Sequence, residues 1–189
     1  MEKRVLKVGF DLDGVILYNP LRIVRRFVVL LKKLFAKSKA DSFYIPQSKI
    51  TMFAWNLLHK SSIFVSPAYK QIKELVSKDN IEAYLISGRY SFLEKDFDNW
   101  IKKINAKKYF KGVYMNKWDQ QPYTFKNDMI KKLKLDIYIE DNWDIVKQIA
   151  PKNKKTKIFW ISNIVDWNIK YIYKFNRLSN AIEEIERQI

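Results

Sequence analysis

An acidic pair at the end of an apolar run is the feature that most restricts the fold of this chain. Residues 5–10 are largely apolar and predict a buried strand, and Asp11, Asp13 and Gly14 follow directly. Side chains two residues apart on an extended chain project to the same face, so we expect the two carboxylates to share one small volume. Their charges repel, a conflict that an oxygen-binding cation such as Mg²⁺ removes. With a turn at Gly14, the pattern indicates phosphoryl chemistry; the alternative is a strand that ends in a turn with acids placed for solubility.

Strand-like and helix-like segments alternate along most of the chain. Strands are predicted at residues 5–10, 82–86, 112–115, 137–139, 157–161 and 171–175. Helices are predicted at residues 67–77, 92–104, 124–133, 144–149 and 180–188. The first of these helices is expected to open on Ser66 as its cap and Pro67 as its first helical residue. The alternation predicts an α/β fold with a mostly parallel sheet and helices on both faces.

Residues 19–66 break this alternation. Helical periodicity over residues 21–37 combines an apolar face with a basic face, and residues 50–58 suggest a second helix. We therefore expect a small helical insert in a core made of residues 1–18 and 67–189; the alternative is a surface hairpin with no contact to the site. The aromatic residues of the insert either stack on a nucleotide base or form the insert's own small core: Phe43, Tyr44, Phe53, Trp55 and Phe64.

Polar residues also follow the later strands, at the edge of the sheet where an active centre forms in an open parallel sheet. Ser87, Gly88 and Arg89 follow the second predicted strand. A Ser hydroxyl with adjacent backbone N–H groups can donate to a phosphate oxygen. Arg89 either holds the same phosphate or pairs with a nearby acid. Glu140 and Asp141 follow a later strand and are candidate ligands of Mg²⁺.

Residues 10–16 resemble the first motif of the haloacid-dehalogenase-like (HAD) hydrolase superfamily, written D-x-D-G-[TV]. The resemblance continues in Ser87-Gly88-Arg89, in a lysine ahead of the last acidic strand and in the acidic pair itself, and it covers residues 1–18 and 67–189. It implies a Rossmann-like core with a cap inserted after the first strand. It also implies that Asp11 attacks phosphorus and that Asp13 is the general acid/base.

The resemblance further implies a Mg²⁺ site and a cation that holds the phosphate. Mg²⁺ would be bound by Asp11, by the main-chain carbonyl of Asp13, and by Asp141 as first choice or Glu140 as second. Most relatives have Asp-Asp or Gly-Asp at that pair, so the Glu leaves open which carboxylate contacts the metal. The phosphate-binding cation is expected to be Lys126, at the start of a helix, with Lys117 as the rival.

Within the superfamily, the chain looks closest to the 5′-nucleotidase and 5′(3′)-deoxyribonucleotidase group. The similarity lies in residues 86–89, in Trp100 of the following helix and in residues 138–142. It implies a Mg²⁺-dependent phosphomonoester hydrolase that forms an aspartyl-phosphate, with a nucleoside monophosphate or similar small ester as substrate. A sugar-phosphate phosphatase and a nucleic-acid-directed protein, either a polynucleotide end-phosphatase or a basic binding protein, are the alternatives.

Composition narrows the chemistry. The chain has no Cys and one His, which excludes disulfides, a thiolate nucleophile and cysteine-ligated zinc. Its net charge of +16 attracts phosphate esters, nucleotides or nucleic acid, although an AT-rich genome produces the same lysine-rich composition. No apolar run is long enough to span a bilayer and no signal-peptide pattern precedes the first strand, so a cytoplasmic location without a membrane partner is expected. The oligomeric state is left open.

Overall fold

The computed structural model describes residues 4–18, 43–60, 62 and 64–189. Its strands are β1 (Leu6–Phe10), β2 (Leu17–Tyr18), β3 (Phe64–Val65), β4 (Ile81–Ser87), β5 (Gly112–Met115), β6 (Ile137–Glu140), β7 (Lys157–Ile161) and β8 (Lys174–Phe175). Six of them form one sheet in the order β5-β4-β1-β6-β7-β8, and every neighbouring pair is parallel. β2 and β3 form a separate antiparallel ribbon.

Helices cover both faces of the sheet. They are α1 (Lys49–Lys60), α2 (Tyr69–Val76), α3 (Glu94–Lys103), α4 (Ala106–Tyr109), α5 (Pro122–Leu133), α6 (Trp143–Ile149) and α7 (Leu178–Glu186). Buried side chains of α2, α3 and α7 form one hydrophobic cluster, and those of α5 and α6 form another. Alternate residues of β6 supply the two clusters: Ile137 and Ile139 belong to the first and Tyr138 to the second. This period of two is that of a strand buried on both faces, and the predicted α/β fold is confirmed.

β1 lies in the middle of the sheet, between β4 and β6. The register pairs Phe10 with Leu85 on one side and with Ile139 on the other. From β1 the chain builds the sheet first toward β5 and then, in the other direction, toward β8. Strand order therefore reverses beside β1, and such a reversal opens a crevice at the carboxyl ends of the strands.

The loop after β1 turns tightly and leads into the ribbon. Gly14 has φ +85°, a conformation that favours glycine, and its N–H donates to the carbonyl of Leu17 at 2.7 Å. Tyr18 of β2 then pairs with Phe64 of β3. The segment that leaves the core after β1 and the segment that returns to it before α2 are therefore adjacent. The predicted basic helix at 21–37 lies outside the described residues, whereas α1 corresponds to the helix predicted at 50–58.

Several boundaries differ from the sequence prediction. The helix expected to begin at Pro67 begins at Tyr69, with Ala68 as its N-cap, so the expected Ser66 cap is wrong. Residues 66–69 instead form a turn in which the N–H of Tyr69 donates to the carbonyl of Ser66 at 2.9 Å. The last sheet strand is limited to Lys174–Phe175, and the short α4 had no sequence signal. Among the described residues, no helix has both the length and the apolar character needed to cross a membrane.

Candidate active site

Two strand ends bring acidic side chains together at the carboxyl edge of the sheet. Asp11 follows β1, Glu140 ends β6 and Asp141 follows it. The N–H of Asp11 donates to the carbonyl of Ile139 at 3.0 Å, which continues the pairing of β1 with β6 by one residue. Each of the three acids offers an oxygen atom, and these atoms lie within 4.8 Å of one another. Asp11 is 4% exposed and Glu140 is fully buried, so the cluster is largely shielded from solvent.

Lys126 of α5 supplies a positive charge to this cluster. Its Nζ lies 3.0 Å from Oδ1 of Asp11 and 2.6 Å from Oε2 of Glu140. The side chain is buried, and burial alone would lower the pKa of the lysine, but the two carboxylates outweigh that effect and raise the pKa above its ordinary value. Lys126 is therefore held in its charged form. The rival Lys117 lies on the surface, where its Nζ pairs with Glu94 at 2.6 Å.

The start of α5 approaches the loop after β4 closely because residue 88 is a glycine. Pro122 is at the first helical turn, where a missing N–H is tolerated. A Cβ atom on Gly88 would lie 3.2 Å from Cβ of Pro122 and 3.4 Å from Cε of Lys126. A larger residue at position 88 would therefore crowd Pro122, which would have to give way by a few tenths of an ångström, and would contact the side chain of Lys126.

Glu140 is held by hydrogen bonds at both carboxylate oxygens. Besides Lys126, Oε2 accepts from the hydroxyl of Tyr138 at 3.3 Å, and Oε1 accepts from the N–H of Asn142 at 3.0 Å. Asp141 lies against the first loop: a Cβ atom on Gly14 would be 2.2 Å from its Oδ2. Of the two acids that the sequence left open, Glu140 serves as an internal partner of Lys126. Asp141 is the better candidate for direct contact with a metal.

The cluster has three acidic groups and one basic group. Burial raises the pKa of Asp11 well above its ordinary value; Lys126 offsets part of the rise, while Glu140, Asp141 and Asp13 add to it. Burial likewise raises the pKa of Glu140, against the opposing effect of Lys126. Three carboxyl groups share this shielded place with one ammonium group, and ionisation of all three would leave an excess negative charge there. All the ligands on offer are carboxylate oxygens, so the site fits Mg²⁺.

The carboxylate of Asp13 is engaged outside this cluster, by Arg89. Nε and Nη2 of Arg89 donate to its two oxygens at 2.7 Å each, a bidentate pair, and the Ser62 hydroxyl donates to Oδ1 at 3.0 Å. Nη1 of Arg89 donates to Oδ2 of Asp96 at 2.5 Å. The guanidinium is fully buried; burial alone would lower its pKa, but Asp13 and Asp96 raise it. The structure thus shows the pairing with an acid that the sequence offered as one of two roles for Arg89. Its role in phosphate binding stays a prediction.

Ser87 ends β4, next to β1, and is fully buried. Its hydroxyl accepts from the N–H of Arg89 at 3.3 Å, and its carbonyl accepts from the N–H of Asn116 at 3.2 Å. The loop of Ser87, Gly88 and Arg89 is therefore braced by the neighbouring strand end. It lies at the same edge of the sheet as Asp11.

No protein-family model and no curated protein matches this chain. Several solved structures do match it in fold. A protein assigned as a β-phosphoglucomutase from Thermotoga maritima superposes with a TM-score of 0.61 at 12% identity, over 98% of this chain and 100% of the other. A haloacid dehalogenase-like family hydrolase from Xanthomonas campestris gives a TM-score of 0.56 at 9% identity, over 98% and 96%. A 2-haloacid dehalogenase from Pseudomonas syringae pv. Tomato DC3000 gives 0.52 at 12% identity, over 98% and 100%.

The chain has the fold of the HAD-like hydrolases. This HAD-like fold brings together residues from distant parts of the sequence at one edge of the sheet. Four of them lie at strand ends and Lys126 reaches them from α5: Asp11, Ser87, Glu140 and Asp141. The nucleotidase group within the HAD proteins stays a prediction, because similarity at this level of identity concerns the fold alone.

Sequence reasoning missed four contributors to the candidate site. Asp96 and Ser62 are polar residues among many in their segments, and no spacing marks either as a partner of Arg89 or Asp13. Tyr138 could have been found, because it lies two residues before Glu140 on one strand and so projects to the same side. Asn142 caps α6, where its side chain accepts from the N–H of Asp144 at 2.9 Å.

The aromatic candidates of the insert have aromatic neighbours in most cases. Phe43 lies 6.5 Å from Tyr123 between ring centroids, and Tyr44 lies 6.1 Å from Trp55. Phe64 stacks on Tyr18 across the ribbon at 4.8 Å. Only the pair of Tyr44 and Trp55 lies within the described part of the insert, since Tyr123 belongs to α5 and Tyr18 to β2. Tyr44, Phe53 and Phe64 are exposed, so both interpretations of these rings stay predictions.

Proposed function

We propose that this protein is a Mg²⁺-dependent phosphomonoester hydrolase that acts through an aspartyl-phosphate on Asp11. One observation carries the proposal: the buried carboxylate of Asp11 lies beside both a charged lysine and a second pair of acids. Such a site holds a nucleophile, a positive charge for the phosphoryl oxygens and ligands for a divalent cation at one point. The HAD-like fold supports the same reading.

The proposed reaction has two steps. In the first, an oxygen of Asp11 bonds to phosphorus, the ester P–O bond breaks, and Asp13 gives a proton to the leaving alkoxide. Asp13 enters this step protonated and leaves it as the carboxylate that Arg89 stabilises. In the second, Asp13 takes a proton from water, whose oxygen attacks the aspartyl-phosphate. Inorganic phosphate leaves and the carboxylate of Asp11 is restored. The presence of an acid at position 13 favours this phosphatase chemistry over dehalogenation, because the family members that act on carbon–halogen bonds lack it.

The other residues of the site hold and neutralise the phosphoryl group. Lys126 lies close enough to Asp11 to contact an oxygen of a phosphate bound there, and the Ser87 hydroxyl and Gly88 N–H are proposed as further donors. Arg89 orients the carboxylate of Asp13. Mg²⁺, held by Asp11, Asp141 and the main chain of Asp13 with Glu140 in support, would supply charge neutralisation between nucleophile and phosphate.

We propose residues 19–66 as a cap over this site and a nucleoside monophosphate or similar small ester as substrate. Ser62, close to the end of the insert, supports the cap, because its hydroxyl contacts Asp13 directly. The candidates for contact with a base are the five aromatic rings of the insert: Phe43, Tyr44, Phe53, Trp55 and Phe64. A nucleotidase-like enzyme in the cytoplasm is the version of the proposal that the sequence favours.

The test measures release of phosphate from p-nitrophenyl phosphate with Mg²⁺ and with EDTA. Asp11→Asn is expected to lower kcat by at least about a thousandfold, because the nucleophile is lost. Asp79→Asn, which changes an exposed acid, is the matched control and should leave kcat unchanged. Quenching the wild-type reaction in acid should trap a phosphoryl adduct on Asp11, detected by mass spectrometry. Equal activity in the two variants, or activity that EDTA does not affect, would contradict the proposal.

A substrate panel then separates the remaining possibilities. Nucleoside monophosphates, sugar phosphates and 3′-phosphorylated oligonucleotides should be compared by kcat/KM at several salt concentrations. A steep loss of kcat/KM with salt for oligonucleotides alone would favour a polynucleotide end-phosphatase, as the net charge of +16 allows. Turnover of mononucleotides that is insensitive to salt would favour the nucleotidase.

A further inference from the structure

A cavity lies at the amino edge of the sheet, opposite to the edge that holds the candidate active site. Its volume is about 700 Å³, and its walls come from the end of α5, the residues that lead into β6 and the turn before β7. Ligand-binding cavities in proteins are commonly about 300–1,000 Å³. Leu135 lines this cavity, whereas Asp141 belongs to the acidic cluster. The two residues are six positions apart along a largely extended chain, which spans roughly 20 Å, so the two places are separate.

Positive charge dominates this cavity. Its cationic lining residues are Arg4, Lys131, Lys134, Lys152, Lys154 and Lys155. Asp136 is the one acid in the lining, and it already accepts hydrogen bonds from the Arg4 guanidinium and, at 2.9 Å, from the N–H of Lys7. Across residues 4–18, 43–60, 62 and 64–189, no carboxylate forms an ion pair with any of the five lysines. Within the part of the chain that the structure describes, the cavity therefore has a local surplus of about five positive charges that no carboxylate offsets by an ion pair.

The turn that presents three of these lysines is braced. The side-chain amide of Asn153 donates to the carbonyl of Ile149 at 2.8 Å and to the side chain of Asn127 at 2.9 Å. The hydroxyl of Thr156 donates to the carbonyl of Leu135 at 2.7 Å, which ties the turn to the residues that enter β6. Lysines 152, 154 and 155 are thus attached to backbone that is fixed before any ligand arrives. The side chains of these lysines are exposed, so the braced backbone fixes only where each one begins; binding then loses less entropy than it would if the turn itself were mobile.

Charges of one sign around one cavity repel each other, since they lie within one or two Debye lengths of about 10 Å at 0.1 M salt. A monovalent anion would offset little of that repulsion. Several phosphate groups in a row would offset most of it, and each could meet one or two ammonium groups. We propose that this cavity binds a ligand with several adjacent phosphate groups, at a site separate from the acidic cluster. The backbone of a single-stranded nucleic acid and a free oligophosphate share this chemistry. The proposal does not depend on the proposed function.

The test uses the full chain in EDTA at constant ionic strength, with tripolyphosphate as the probe. Calorimetric titration and thermal melts are compared for the wild type, for a cavity variant (Lys131→Gln/Lys154→Gln/Lys155→Gln) and for a control variant (Lys102→Gln/Lys107→Gln/Lys108→Gln). The control removes the same charge from α3 and α4, whose lysines do not line the cavity. Tripolyphosphate is expected to bind the wild type and the control and to raise their Tm. The cavity variant should bind about tenfold more weakly or worse, because three ammonium groups are removed from the cavity wall.

A single-stranded oligonucleotide without a terminal phosphate separates the two sources of the ligand. If the nucleic acid backbone occupies the cavity, the oligonucleotide competes with tripolyphosphate. The slope of log K against log salt should then be shallower by about 2 in the cavity variant, because each phosphate that an ammonium group neutralises contributes about 0.7 to that slope. If tripolyphosphate binds but the oligonucleotide does not compete with it, the cavity is assigned to a free oligophosphate. Equal weakening in the cavity and control variants, or no binding of tripolyphosphate to the wild type, would overturn the proposal.

Discussion

Replacing Arg89 by Met keeps most of the side-chain volume and removes the charge that separates Asp13 from Asp96. We expect the free energy of unfolding to fall by about 3 kcal/mol, near the lower end of the range for breaking a buried ion pair. The guanidinium itself has no exposed area, but the side chains of Asp13 and Asp96 are 21% and 25% exposed. Water can therefore partly hydrate the two carboxylates left behind, which is why the upper end of the range is not expected.

Urea denaturation in EDTA, followed by circular dichroism, measures this loss. The m-value should stay constant, so that the change in midpoint reports stability alone. Lys117→Met is the matched control, because it removes one charge from a pair whose side chains are 64% and 50% exposed. No measurable change is expected there.

A double-mutant cycle sharpens the same test. Because Asp13→Asn removes the partner that Arg89 grips at two points, the double variant should lose less stability than the sum of the two single variants. Strict additivity, or a loss for Arg89→Met no larger than for Lys117→Met, would refute the reasoning that this guanidinium is the internal counter-charge of Asp13.

Three further predictions concern the acidic cluster. Gly14→Ala places a methyl group 2.2 Å from an oxygen of Asp141 and strains a positive φ, so Mg²⁺ affinity measured by calorimetry should fall at least about tenfold; unchanged affinity would exclude Asp141 as a ligand. Lys126→Met leaves buried Asp11 and Glu140 without their cation and should cost about 3–5 kcal/mol of unfolding free energy in EDTA, less in Mg²⁺; equal losses in both buffers would count against a shared site. The raised pKa of Asp11 favours its protonated form in the folded state, so its contribution to stability is complete below the unfolded value of about 4 and declines as pH rises through the folded pKa. Thermal melts in EDTA should therefore show Asp11→Asn gaining stability relative to the wild type as pH rises, and a constant difference would contradict this.

The parallel sheet and the edge of it at which the candidate site lies follow from patterns in the sequence. Apolar runs that end in Asp11, Ser87 and Glu140 predict parallel strands, and parallel strands place their carboxyl ends at one edge. The choice of Lys126 over Lys117 rested on position relative to the acidic strand, and the structure places Lys126 against Asp11.

The partners within the site could not be predicted in the same way. Arg89 had two plausible uses, since a cation at a strand end attracts a phosphate and a carboxylate alike. Its pairing depends on how closely the helix with Asp96 approaches, which is set by tertiary packing. Glu140 and Asp141 look equivalent in the sequence. Side chains of successive residues on a strand point in opposite directions, however. Glu140 therefore contacts Lys126, whereas Asp141 contacts the loop that contains Gly14.

The small ribbon of Leu17–Tyr18 and Phe64–Val65 has a consequence for how this architecture can diversify. Its hydrogen bonds hold the two chain crossings together, whatever polypeptide runs between them. The entropic penalty for lengthening that polypeptide grows only logarithmically, by about 0.6 kcal/mol for each doubling. Evolution can therefore exchange the intervening segment for one of another size without moving the sheet, and recognition of new molecules can change independently of the reacting groups.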